Sequence, residues 1–448
     1  MTGSCGPGVQ GLSAGPSSVQ GLPDSSKAHS LPGSSSSERP WGRAFDGLVL
    51  YSFVVLGLPD GALGTAWPAV RKGFGAPLAY LGVVLLAGTA GSVLSSSVVG
   101  ALLGRVGTRV TVMVAGAAGA LGAVGMALSP SFVVFAAAGG LVGVAAGLLD
   151  SAVNTSVALT GRNRLLNMVH GAYGLGTAVA PLIVTLSLLA GSWRGSYAAV
   201  FAGEGVLVTG WYAAGRHDDR RARQATSSYG AAQAAVPLGA HACDGSCNSG
   251  VASQAMASAR RRRLALSVGL GLLVFMVYTG FEVSAGQWSP SFDRAVLHMG
   301  PGATGIATFG YWGSLTLARF GLAVPRRPVA PSSVVRWGCL SALGGAALIW
   351  WRPYAVVALL GLVVVGAALA GVFPALVALT PSRVGGELAR HVIGWQIGAA
   401  SIGGSAISAL CGAAFQHWGL GELGLALVAA AGVLVASSLA LEKVSAPC

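Results

Sequence analysis

Residues 57–68 read GLPDGALGTAWP and residues 279–290 read TGFEVSAGQWSP. Each stretch sets one acid, Asp60 or Glu282, inside a long apolar segment. The offset of 222 residues that separates them also carries Gly64 to Gly286, Pro68 to Pro290, Gly88 to Gly310, Gly91 to Gly313, Ser92 to Ser314 and Arg105 to Arg327. One offset held from Asp60 to Arg105 marks an internal duplication, although sequence rich in Gly and Ala raises the number of chance matches.

The chain has 448 residues, of which 53% are hydrophobic and 9% charged, and its mean hydropathy is +0.69. Globular proteins carry about a quarter charged residues, so this balance excludes an ordinary soluble enzyme and places the chain in a bilayer. A helix needs roughly 20 apolar residues to cross about 30 Å of hydrocarbon. The segments long enough lie near 45–69, 77–103, 110–128, 131–159, 165–189, 194–214, 264–288, 301–323, 334–351, 354–380, 388–414 and 419–441, with the 334–380 region the least sharply divided. The 69 glycines suit such helices, because small residues let membrane helices pack by close backbone approach. The expected fold is an all-α membrane protein of twelve transmembrane helices in two pseudo-symmetric six-helix bundles. Its parts are a disordered cytoplasmic tail over 1–43, bundles over 44–214 and 264–441, a polar linker over 215–263 and a short tail over 442–448.

A net charge of +13 and a pI near 10.0 would point to nucleic acid in a soluble protein. Here the distribution explains them. With the N-terminus inside, 21 Lys and Arg fall in the inner segments, against 5 outside (Arg71, Lys72, Arg194, Arg294 and Arg352). The excess of basic residues on cytoplasmic loops orients membrane proteins, so both termini are expected in the cytoplasm of a multi-pass cell-membrane protein, with lipid as partner and no nucleic acid. The six cysteines show no pairing pattern, and no secretory context favours disulfides. His241, Cys243 and Cys247 lie close together but lack the fourth ligand a structural zinc site requires, so neither metal nor cofactor is expected.

A charged side chain at the centre of a membrane helix costs at least about 2.5–3.5 kcal/mol on insertion scales, so each acid kept there needs a partner, a water-filled cavity or a proton. Asp60, Asp150, Glu204 and Glu282 are the candidates. Removing a carboxyl from water disfavours its charged form, which lets it carry a proton across and release it where water returns. Asp60 and Glu282 are therefore expected to couple transport to protons. Asn154 lies one turn from Asp150 on the same face, and the pair is expected to hold the hydroxyls of a small-molecule substrate. Tyr278 and Trp312 fall near mid-depth and join them as substrate contacts. Trp67 and Trp288 read as anchors at the membrane interface, and Pro59 beside Asp60 as a hinge. His170 and Arg319, nearer the inner side, read as gating or packing residues. Glu204 is expected to lie outside the central cavity. No nucleophile and base, metal ligand set or phosphate-binding loop survives inspection, so no enzymatic activity is expected.

The twelve-span layout, Asp60 and the loop GALLGRVGTR, with Gly100, Arg105, Gly107 and Arg109, resemble the major facilitator superfamily of transporters over nearly everything after residue 40. Gly104 stands where the family's loop pattern has Asp, which weakens the usual charge lock and leaves Arg105 and Arg109 as candidate gating residues. GLLDSAVNT (147–155) and RLLNMVHGAYGLG (164–176) resemble the fucose permease type of sugar:proton symporter. The resemblance implies alternating access by a monomer, a proton site at Asp60 and a substrate site at Asp150. The alternative is a proton-driven efflux antiporter for drugs or metabolites. Its Gly-Pro pattern with paired glycines is degraded here to Ala180, Pro181, Leu182 and Ile183.

Overall fold

The computed structural model describes residues 43–158, 163–214, 252–323 and 329–445. The helices are α1 (Arg43–Phe74), α2 (Tyr80–Leu128), α3 (Phe132–Ala158), α4 (Asn163–Leu189), α5 (Arg194–Ala213), α6 (Ala252–Ala295), α7 (Pro301–Ala323), α8 (Pro331–Trp351), α9 (Ala355–Leu369), α10 (Val372–Val384), α11 (Gly386–Trp418) and α12 (Leu423–Ser445), with one 3-10 turn, Leu420–Glu422, before α12. Helix is what a chain this apolar must form in lipid, where every backbone N–H and C=O has to be satisfied within the segment.

Among the described residues, nine segments are long and apolar enough to cross a membrane. Tyr80–Leu128 is one of them at 49 residues, and Ala355–Val384 takes α9 and α10 together. Helices α5 and α7, of 20 and 23 residues, are not among the nine. The long α2 bends at Gly107, whose φ of 80° and ψ of 170° leave the helical region. Only glycine adopts that conformation without strain, which accounts for the Gly in the loop pattern. Thr111 Oγ1 donates to the Gly107 carbonyl at 2.9 Å.

The helices of 43–214 pack chiefly among themselves, as do those of 252–445. The two groups meet where α4 packs on α7, α2 on α11 and α1 on α6. Outward faces carry exposed Leu94, Leu121, Leu186, Leu317 and Leu410, the apolar surface that lipid requires. Trp67 and Trp288 do not anchor at an interface. Both are fully buried, because each indole N–H finds a carbonyl inside the protein, Leu78 at 3.2 Å and Ser408 at 3.0 Å. Pro59 lies within a continuous α1, so no break marks the expected hinge.

The expected linker ends earlier than 263. Helix α6 begins at Ala252 and takes in Arg260, Arg261, Arg262 and Arg263, since arginine is a good helix former. The tail before Arg43, the linker over 215–251, Arg327 of the offset pattern, and Cys5, His241, Cys243, Cys247 and Cys448 lie outside the described residues.

Packing of α1 on α4 depends on backbone approach at small residues. A Cβ added at Gly61 would sit 2.2 Å from the Thr177 carbonyl oxygen, whereas one at Gly47 meets nothing within 4 Å. Gly61→Ala should therefore destabilise the protein by about 1–3 kcal/mol, the usual cost of overpacking. Gly47→Ala on the same helix should be neutral or slightly stabilising. Thermal unfolding of the two purified variants in detergent checks the difference, and equal melting temperatures would contradict the packing described.

Candidate functional site

Where the two groups of helices meet there is a cavity of about 340 Å³. Helix α1 contributes Pro59 and Asp60, α2 Thr89, α4 Tyr173, α5 Tyr197 and Glu204, α6 Gln287, α7 Trp312 and α11 Ser405. Much of the rest is small or aliphatic, including Gly88, Gly139, Gly143, Ala145 and Ala146.

Asp60 is solvent-exposed although it occupies the middle of α1, so its carboxyl faces the cavity and not a dry helix contact. Tyr173 donates its hydroxyl to Asp60 Oδ2 at 2.7 Å. That contact follows from α1 lying directly on α4, where a Cβ at Gly57 would come within 2.3 Å of the Tyr173 carbonyl oxygen. From the other half, Gln287 Nε2 donates to the Asp60 backbone carbonyl at 2.8 Å, and Gly64 leaves room for the Gln287 backbone against α1. The Thr89 and Ser405 hydroxyls bond each other across the two halves. The Trp312 ring seats on Gly286 and stands edge-on to Tyr311, with centroids 4.9 Å apart.

Glu282, the offset partner of Asp60, meets a different fate. Arg319 Nη2 lies 3.5 Å from its Oε1. Sequence position places Arg319 near the end of α7 as a gating or packing residue, and the fold turns it inward onto this carboxylate. The same guanidinium donates to the Ala370 carbonyl at 3.3 Å, and the Tyr278 hydroxyl donates to the Leu369 carbonyl at 3.0 Å. Leu369 ends α9, and Ala370 opens the buried two-residue turn, Ala370 and Gly371, that separates it from α10. Irregular backbone at membrane depth persists only where other groups satisfy it, and here Arg319 and Tyr278 do so. Tyr278 is 1% exposed and does not line the cavity.

Asp150 and Asn154 come together as their spacing predicts, with Asn154 Nδ2 donating to Asp150 Oδ1 at 2.9 Å. Neither is among the cavity's lining residues, whose deepest members on α3 are Ala146 and Leu149. Arg109 binds the Trp211 and Tyr212 carbonyls at 2.8 and 2.5 Å, tying α2 to α5 within one half, and Arg105 is exposed. His170 is exposed, with its ring edge-on to Phe53 at 5.8 Å, and is close enough to Arg319 for their charges to interact. Glu204 does line the cavity, contrary to expectation, because α5 packs against α1 and α2 and turns this face inward. Asp293, which sequence position does not single out, is fully buried at the end of α6. Tyr173 is likewise unmarked by sequence except as the aromatic in HGAYGLG, and the Thr89–Ser405 bond has no local signal. Among the described residues, no three His, Cys, Asp or Glu side chains converge as a metal site would require.

In fold the chain is similar to the inward-open xylose transporter XylE from E. coli, with a TM-score of 0.67, 15% identity, and coverage of 90% of this chain and 96% of that one. It is similar also to the nucleoside transporter NupG, with a TM-score of 0.65, 15% identity and coverage of 90% and 99%. For the human organic anion transporter MFSD10 the TM-score is 0.58, the identity 16% and the coverage 90% and 100%. No curated protein matches it in sequence. The Major Facilitator Superfamily profile matches residues 49–409, well over half of the chain. With that match laid over two helical groups meeting at a shared cavity, the chain belongs to the Major Facilitator Superfamily.

Proposed function

We propose that the chain is a proton-coupled carrier of a small polar solute, a sugar in the first instance, working by alternating access. In this reading twelve spans cross the cell membrane as two bundles of six, α2 giving two spans about Gly107 and α9 with α10 giving one, with both termini in the cytoplasm, and the protein acts as a monomer. The observation that carries the reading is Asp60, a carboxyl open to a cavity between the two halves and held by Tyr173. Asp60 takes a proton when the cavity faces outward and loses it when the cavity faces inward. Trp312 offers an apolar face to a sugar ring, and Thr89, Ser405 and Gln287 offer hydrogen bonds. Asp150 and Asn154, bonded to each other below the lining residue Ala146, are reached by substrate as the cavity opens inward. A structure similar in fold is described as a proton:xylose symporter, at 13% identity, which makes xylose the natural first probe.

Arg319 and Glu282 play a gating part in this scheme. By satisfying the break between α9 and α10 they hold the second half in the conformation seen here, and His170 beside Arg319 lies on the same gate. Arg105 and Arg109 flank the bend at Gly107, and Arg109 braces α2 against α5 there.

One observation favours the second reading, efflux in exchange for protons. The cavity's lining holds two carboxyls, Asp60 and Glu204, and no Lys, Arg or His, a balance that suits a cationic solute. Purified protein in liposomes separates the readings. An inward proton gradient driving xylose accumulation supports symport, extrusion of a fluorescent organic cation supports antiport, and movement of neither solute by a well-folded protein would sink the transport assignment.

Asp60→Asn should abolish uphill accumulation while leaving solute exchange measurable by counterflow. Accumulation at the wild-type level would remove Asp60 from coupling. For the gate, breaking a fully buried ion pair costs about 3–5 kcal/mol, and Arg319 and Glu282 should show less because their side chains keep 21% and 14% of their surface. Glu282→Gln and Arg319→Gln should each lower the melting temperature, and the double variant should recover part of the loss. Strictly additive effects in that cycle would show that the pair is not coupled.

A further inference from the structure

Glu204 is the acid least promising by position and the one whose surroundings are most specific. It is 5% exposed yet among the residues that line the cavity. Its carboxyl lies in a slot on α2 that exists because residues 116 and 119 have no side chains. A Cβ at Gly119 would fall 2.4 Å from Glu204 Oε1, and one at Gly116 3.5 Å from Oε2. Among the described residues no donor reaches the buried Oε2. Two turns earlier on the same face of α5, the buried Tyr197 hydroxyl is also without a partner and also lines the cavity.

The neighbours leave this carboxyl without a counter-charge. From α1 it faces Tyr51, whose hydroxyl is already donated to the Gly203 carbonyl at 3.0 Å, and Asp60 shares the cavity. From α4 the titratable group at the cavity is Tyr173, bonded to Asp60. The charged residues of α2 are Arg105, which is exposed, and Arg109, bound to the Trp211 and Tyr212 carbonyls. That of α3 is Asp150, bonded to Asn154. A buried carboxylate with neither cation nor adequate donors is strongly disfavoured, whereas the neutral acid fits.

We infer that Glu204 is a second proton-binding site of this carrier, a carboxyl held in a glycine slot on α2 that exchanges its proton through the same cavity as Asp60. The inference deepens the proposed proton coupling and rests on it for its physiological meaning. Two carboxyls of different environment in one vestibule give the carrier two proton sites, one held by a hydroxyl and one by shape.

Infrared spectroscopy of the full-length protein in liposomes tests this without any solute. The carbonyl stretch of protonated carboxyl groups, identified by its shift in heavy water, is followed as the pH is raised. The expected result is that Glu204→Gln removes one titrating component and Asp60→Asn a different one, that Glu204→Asp keeps a displaced component, and that Gly119→Ala, which crowds the slot, moves the Glu204 component alone. Should Glu204→Gln fold poorly, Glu204→Asp and Gly119→Ala carry the same test. Titration identical to wild type in all the Glu204 and Gly119 variants, or a Glu204 component that stays protonated throughout, would overturn the inference. Xylose counterflow on the same liposomes reports separately on the transport reading. A titrating Glu204 in a protein that moves neither xylose nor an organic cation keeps the proton site and sinks that reading. The converse result keeps the reading and sinks the site.

Discussion

The close approach of α1 and α4 at glycine is the contact on which the site depends. In lipid there is no hydrophobic force to press one apolar helix on another, so association relies on dispersion and hydrogen bonds, which demand near contact. Gly57 and Gly61 let α1 lie against the backbone of α4, and Gly176 lets α4 do the same against the Val54 carbonyl. At that separation a tyrosine hydroxyl from α4 spans the gap to a carboxyl on α1. With larger residues at those three positions, Tyr173 and Asp60 could not meet at 2.7 Å, and the polar end of the cavity would lose its geometry.

The acids at membrane depth show how many ways a bilayer protein can keep a carboxyl. Asp60 has a hydroxyl and open space, Glu282 an arginine, Asp150 an amide one turn away, and Glu204 a slot in the facing helix. Asp60 and Glu282 are related by the internal offset, yet one faces the cavity and the other braces a broken helix. Arg319 joins Glu282 to the Ala370 carbonyl, and Tyr278 bonds Leu369 beside it, which links a charge in the second half to the buried turn between α9 and α10. A hinge there changes shape only if those bonds are exchanged.

Much was legible from sequence because it follows from composition and local spacing. Low charge and long apolar runs require helices in a bilayer, and four-residue spacing brings Asn154 to Asp150. The same local logic misplaced Trp67 and Trp288, since depth along a helix does not say which way a side chain faces. Apolar helices carry too little amphipathic signal to reveal the facing direction.

The sequence by itself determined that this chain lives in a membrane and which carboxyls needed an explanation, because hydropathy and burial cost are properties of residues and their order. Tertiary structure alone decided what surrounds Asp60, Glu282 and Glu204, whereas Asn154 reaches Asp150 within a single helix. Tyr173 is 113 positions from Asp60 and Arg319 is 37 from Glu282, separations over which only the packing of helices on helices sets a distance. Glu204 entered the cavity for the same reason, through glycines on another helix that no pattern around residue 204 reveals.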